Sequence, residues 1–409
     1  MASWHVLREP KFRAYFAGSV ISNMGTWLQT TAQLLLTYQL THSAFAVGLI
    51  TAAQFTGFLI IGPWAGTLAD RMGRKMVLLG TQVASAAVAG TLAVLQLDGR
   101  LTKLDLMCGA LGTGLALTFA LPVQNAMISM LVPERDTKAA MAMNSVSYNV
   151  GRTVSPALYL IVLASIGAGW AFALNAISFL IFAVTIVVVY PRNATPQTRP
   201  APDWSGLRMA IRRPRIMLLL AMVAAVTISD DPVQVLGPSL AHHVLRVSSI
   251  WPAYFLSALG LGTVLGALVP TRPTKARETA IPLGILAVSV MLFAVGLSVW
   301  LSMAAAVVAG MAALLTGAST QALLLQTAGP RQATQVMALW AVAWAGSKPI
   351  ASLADGWLAS NLGVQPAAAI LAIPAIAIAT VELFMREKSR SKIKYLMHKY
   401  NEAHAHASG

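Results

Sequence analysis

Five charged residues stand inside stretches that are otherwise apolar: Arg152, Asp230, Asp231, Lys348 and Asp355. An ionisable group in hydrocarbon is costly, so each calls for a partner, a water-filled path or a function. Counted from the nearest flanking cation at 1.5 Å per residue, Arg152, Asp230 and Lys348 lie roughly 21, 22 and 26 Å along their segments. That places all three in the central-to-outer part of a bilayer whose apolar core is about 30 Å thick. Asp355 follows Lys348 by seven residues and is expected near the extracytoplasmic mouth.

Two cations and two carboxylates at similar depth predict mutual neutralisation. One reading is a static network that fixes helix packing. The other is a coupling or substrate site, because adjacent carboxylates in a low dielectric cannot both ionise cheaply and one of them would hold a releasable proton. Neighbouring helical residues point about 100° apart, so one of Asp230 and Asp231 is expected to face a central cavity. Pro232 and Pro238 are expected to kink or break the helix beside them. A competing reading ends the helix early and leaves both aspartates in water.

The elements that must position these groups are membrane helices. The chain has 409 residues, 57% hydrophobic and 11% charged, with a mean hydropathy of +0.68. A soluble domain of this length needs far more charge on its surface. The apolar residues come in blocks of about twenty, the length of a helical crossing, whereas barrel strands would be short and alternating. We place twelve spans near 14–40, 44–68, 76–97, 104–131, 139–165, 170–190, 215–241, 250–270, 280–299, 302–327, 333–360 and 364–385. The stretch 191–214, rich in Pro and Arg, divides them into a 1–190 unit and a 215–385 unit and is expected to carry a short surface helix near Trp204–Arg213. Residues 386–409 form a basic tail, read as solvated or resting on lipid headgroups.

The formal charge of +15 suggests nucleic acid until the basic residues are located. With alternate loops assigned to alternate sides, 24 Lys and Arg fall on one side and three on the other, which predicts that both termini are cytoplasmic. Nucleic acid is therefore not an expected partner. The first span is too long for a secretory signal peptide. The lone Cys108 excludes an internal disulfide and is expected to be a small buried apolar residue. His242–His243 lack further metal ligands and read as mouth residues; no metal or cofactor is expected. Gly262 and Gly266, four apart, predict a close helix contact. No nucleophile–base set, phosphate loop or ATP-binding domain is present, so the chain is not read as an enzyme and an ion gradient is the expected energy source.

Polar stripes run through several spans. Asn23, Thr26 and Thr30 recur along span 1; Ser145, Asn149, Arg152 and Pro156 recur along span 5. Gln124, Gln321, Trp340 and Trp344 add polar or amphipathic side chains to spans 4, 10 and 11. Each is either an interhelical packing residue or part of a cavity wall.

Between spans 2 and 3 stands "GTLADRMGRKMVL". Gly66 permits close approach of the end of span 2, Asp70 can accept hydrogen bonds or pair with a cation, and Gly73 permits a tight turn. Arg71, Arg74 and Lys75 can clamp carboxylates or helix C-termini. The whole pattern resembles the G-x-L-A-D-R-x-G-R-[RK]-x-x-L signature of the major facilitator superfamily, with every defined position filled. Three looser stretches are similar to its drug and siderophore exporter branch, which includes enterobactin exporters and macrolide efflux proteins: "LREPKFRAYFAGSVISNMGTWLQTTA", "LVPERDTKAAMAMNSVSYNVGRTVSPAL" and "GSKPIASLADGWLASNLGVQP". That branch commonly has Gly-Pro in span 5, where this chain has Ser155-Pro156, which bears on how closely span 5 packs there.

The resemblance implies an all-α polytopic membrane protein of twelve transmembrane helices in two six-helix bundles related by pseudo-two-fold symmetry. It makes the 66–75 loop a conformational latch and puts spans 1, 4, 7 and 10 around a central cavity. It further implies a monomeric exporter in the bacterial inner membrane, moving an amphipathic drug or siderophore in exchange for protons, with the substrate and membrane lipids as its partners. A lipid, lysolipid or metabolite carrier, acting as symporter or facilitator, is the alternative; a non-transporting receptor or scaffold is a remote one.

Overall fold

The computed structural model describes residues 4–190, 205–269, 277–329 and 332–383. Most of the central connection and the basic 386–409 tail lie outside those residues. All twelve expected segments fall on helices. Span 1 is Pro10–Thr41, span 3 Arg74–Leu97, span 4 Lys103–Leu131, span 5 Thr137–Ser165 and span 6 Gly169–Val189. Span 7 runs over Pro214–Val244, span 8 over Trp251–Leu268 and span 9 over Arg277–Val295. Spans 10, 11 and 12 are Val299–Ala328, Ala333–Leu362 and Val364–Leu383.

Among the described residues nine of these helices are long and apolar enough to cross a membrane, ten when the two pieces of span 2 are joined. Spans 1 and 5 have 32 and 29 residues but are less apolar, because each carries a polar stripe. The helix starts follow local chemistry. Thr102 and Asp105 form a reciprocal capping box at span 4, and Ser43 and Ser298 cap spans 2 and 10.

Two helices depart from expectation. Span 2 is not continuous: Ala44–Ile60 and Gly62–Met72 meet at an angle of 72°, where Pro63 opens the second piece and supplies no amide hydrogen. Span 7 does not break at Pro232. It continues to Val235, interrupts at Leu236, resumes over Gly237–Ser239 and closes with a π turn over Leu240–Val244. The early-ending reading of span 7 is excluded, since Asp230 and Asp231 are buried well inside it. The surface helix expected in the connection appears as Ser205–Arg212, with Ala210 buried and Arg208, Ile211 and Arg212 exposed.

In the first half span 1 packs on spans 5 and 6, span 3 on spans 4 and 6, and span 2 on span 4. In the second half span 10 packs on spans 7, 8 and 9, and span 11 on span 7. Gly262 is as close to its neighbour as expected, for a Cβ there would sit 1.8 Å from the Val307 carbonyl oxygen of span 10. The halves meet along two helix pairs, span 2 with span 11 and span 5 with span 8. Cys108 is exposed on the helix surface, not buried as expected. Its small size says nothing of which way span 4 turns it.

Candidate functional site

The intramembrane charges converge where span 5 of one half meets spans 7 and 11 of the other. Arg152 donates from its Nη2 to Asp230 Oδ2 at 2.9 Å, across the two halves. Lys348 Nζ lies 4.0 Å from Asp230 Oδ1 and makes a close ion pair with Asp231. Ser352, one turn beyond Lys348, donates its hydroxyl to Asp231. Both aspartates are therefore engaged, as the expected mutual neutralisation requires. The 100° between them aims Asp230 at span 5 and Asp231 at span 11, and the long lysine reaches both.

Asp355 corrects the sequence reading most sharply. It is not at a mouth but fully buried, beside the Asp231 carboxyl. Neither of its oxygens receives a hydrogen bond. Axial depth put it near the outer end of span 11, where Gly356 packs on the first turn of span 2, but could not show that it is buried. Seven residues are two helical turns, so Asp355 shares the Lys348 face of span 11 and points at span 7.

Below the charges lies a strip of rings. The Arg152 guanidinium sits 5.8 Å from the centre of Trp27, whose edge meets Tyr148 at 5.6 Å. Tyr148 contacts Trp344 across the halves at 6.2 Å, and Trp344 stacks on Trp340 at 6.1 Å. The Trp340 indole N–H has no acceptor. Trp27, Tyr148 and Ser352 escaped sequence reasoning, although helical spacing gave a signal: Tyr148 precedes Arg152 by four and Ser352 follows Lys348 by four.

The remaining polar candidates divide. Asn23 donates to Ser147 of span 5 at 2.9 Å, and Thr30 accepts from Gln54 of span 2 at 3.2 Å. The Thr26 and Asn149 side chains bond carbonyls of their own helices, at 2.9 and 2.8 Å. Asn23 and Thr30 thus join neighbouring helices, whereas Thr26 and Asn149 bond within their own. Gln124 and Gln321 are half-buried, and no hydrogen bond joins them to the charged cluster. Ser155, standing where glycine is common, is buried and donates to the Met24 carbonyl at 2.8 Å, so span 5 still packs closely on span 1.

In the 66–75 loop, Arg74 Nε meets Asp70 Oδ1 at 2.5 Å across the turn at Gly73, whose φ of 88° suits glycine. Lys75 lies 5.6 Å from the Tyr190 ring at the end of span 6, Arg71 is exposed and Gly66 half-buried.

The interface is sealed on the side away from this loop. A Cβ on Gly48 of span 2 would sit 2.2 Å from the Ser352 carbonyl oxygen, and one on Gly356 of span 11 2.8 Å from Phe45 Cα. On span 5, Thr153 donates to the Gly260 carbonyl of span 8 at 3.1 Å. Toward the loop side burial relaxes: Ser155 is buried, Arg152 and Asn149 half-buried and Ser145 exposed. Beside Arg152, Trp27 and Gln234 there remains about 10 Å³, room for about one water. A larger cavity of about 770 Å³ lies outside the seal, lined by His42, His243, Arg246 and Gln365 among others. Among the described residues no group of three metal-ligating side chains occurs.

Helix architecture and buried charges define a polytopic membrane protein with a charged interior. The chain superposes on a solved POT family transporter, PepTSo, with a TM-score of 0.73 at 12% identity, covering 94% of this chain and 99% of that one. It also superposes on a bacterial homologue of the human lysosomal transporter Spinster, with a TM-score of 0.65 at 15% identity over 92% and 94% of the two chains. Residues 1–406 match the major facilitator family described as transmembrane secretion effector, and the chain belongs to that family. Among similar proteins are the enterobactin exporter EntS of Shigella flexneri, 27% identical over 272 residues, and the uncharacterised MFS-type transporter YfiS of Bacillus subtilis (strain 168), 27% identical over 290. The match covers 63% of this chain and 62% of the EntS length; for YfiS it covers 65% and 66%.

Proposed function

We propose that the protein is a monomeric secondary active exporter that exchanges protons for an amphipathic small molecule of the drug or siderophore class by alternating access. We place it in a bacterial inner membrane with both termini cytoplasmic. One observation carries the reading: three buried carboxyl groups face two cations, and the cluster bridges the two halves. Charge in so dry a site must balance, so the third carboxyl group calls for a proton or a positive charge from the substrate. A site that needs one or the other is suited to exchange.

The ring strip supports an amphipathic substrate with a flat apolar surface. It lies directly below the cluster, on the side toward which burial relaxes, and Trp340 offers a free N–H donor. No resident cofactor is needed. The proton gradient supplies the energy, and the latch ion pair Asp70–Arg74 governs the exchange between states.

A proteoliposome uptake screen with an imposed pH gradient tests substrate and coupling together. Accumulation of a drug-like or siderophore-like compound that collapses when the gradient is dissipated is the expected result. Movement indifferent to the gradient would make the protein a facilitator instead.

A further inference from the structure

Asp230 and Asp231 are both spoken for: Arg152 and Lys348 neutralise them, and Ser352 adds a hydrogen bond to Asp231. Asp355 has neither a cation of its own nor a donor, yet it is 0% exposed. Burying a bare carboxylate is prohibitively costly, whereas a protonated carboxyl group can itself donate to the neighbouring Asp231. The groups facing it are Asp231 and Asp230 from span 7 and Lys348 from its own helix; Arg152 of span 5 pairs with Asp230, and the adjoining stretch of span 2, Ala44–Gln54, brings no charge.

Its position links that proton to the seal. Asp355 directly precedes Gly356, which packs on the Ala44–Phe45 backbone of span 2, and follows by three residues Ser352, whose carbonyl faces Gly48. Both contacts belong to the closure on the side away from the latch loop. Parting span 2 from span 11 would therefore open water onto Asp355 from that side.

We propose that Asp355 is the proton-binding residue and that its protonation is the condition for closing the seal opposite the latch loop. A deprotonated Asp355 needs hydration or a neutralising cation, and on the side away from the latch loop only the parted seal provides the hydration. Protonation from that side removes the charge and lets spans 2 and 11 meet. The proposal rests on the proton-exchange reading above, but its test needs neither substrate nor transport.

Spin labels at Arg100→Cys and Leu297→Cys, both exposed at the side away from the latch loop and on opposite halves, report closure in a Cys108→Ser background reconstituted in nanodiscs. The expected result is a short interspin distance at low pH that lengthens as pH rises. Asp355→Asn should stay short throughout the pH range, while Asp355→Glu should keep the pH response. A wild-type distance unmoved by pH, or an Asp355→Asn response equal to wild type, would overturn the proposal. Infrared spectroscopy of the wild type serves even if the Asn variant fails to fold. A carbonyl band of a protonated carboxylic acid should be present in the closed state and vanish as the distance lengthens; absence of that band overturns the assignment. If the distances behave as expected and no gradient-driven export is found, the proton-linked seal stands and the exporter reading falls.

Discussion

At the scale of single residues, the Arg152–Asp230 pair is the one side-chain ion pair in the described cluster that spans both halves. Breaking a buried pair by removing one partner leaves an uncompensated charge and costs about 3–5 kcal/mol. Arg152→Met should therefore lower the melting temperature measurably, and the double variant Arg152→Met/Asp230→Asn should regain part of the loss. Asp230→Asn and Asp231→Asn should fold yet lose gradient-driven export in proteoliposomes; normal export by both variants and by the double would remove Asp230 and Asp231 from coupling. Cys108→Ser should change stability by no more than about 0.5 kcal/mol, as for an exposed position, and thermal unfolding checks it.

At the scale of elements, two glycine contacts look alike but have different consequences. Gly48 of span 2 faces the Ser352 carbonyl across the halves, at a surface that the proposed alternating access would open and close. Gly262 of span 8 faces Val307 of span 10 within one half, at a surface that must stay packed. Gly48→Ala should hold the seal apart, lengthening the Arg100–Leu297 interspin distance at all pH values with little change in unfolding temperature. Gly262→Ala should do the reverse, lowering the unfolding temperature while the distance and its pH response survive. The physical reason is shared: a Cβ cannot occupy space already held by backbone, so one helix must move. What differs is whether the protein has a second state in which that space is free.

At the scale of the molecule, the 66–75 loop and the charged cluster lie at different depths, so under the proposed latch role they would act on different steps. The Asp70–Arg74 pair ties the end of span 2 to the start of span 3, and Gly73 makes the turn between them. Asp70→Asn should slow turnover with little change in substrate affinity, since no ring or charge of the central site is touched. Transport rates set against binding to the same purified variant would check this. Unaltered turnover would take the latch role away.

Much of this organisation was legible in the residues. Twelve apolar blocks, the positive-inside count and the loop motif led to the helical transporter fold, because hydrocarbon thickness and the cost of buried charge act on each segment separately. The same logic pointed to Arg152, Asp230, Asp231 and Lys348 as a cluster. It misjudged the burial of Asp355 and of Cys108 and the continuity of span 2. It passed over Ser352, Trp27 and Tyr148, which are ordinary residues until a neighbouring helix arrives. Segment length and polarity are properties of one helix, and the sequence by itself determined them. Rotation about a helix axis, and which face meets which partner, are settled by packing between helices distant in the chain. Only the tertiary structure therefore decided that Asp355 turns inward to stand beside Asp231, without a cation of its own.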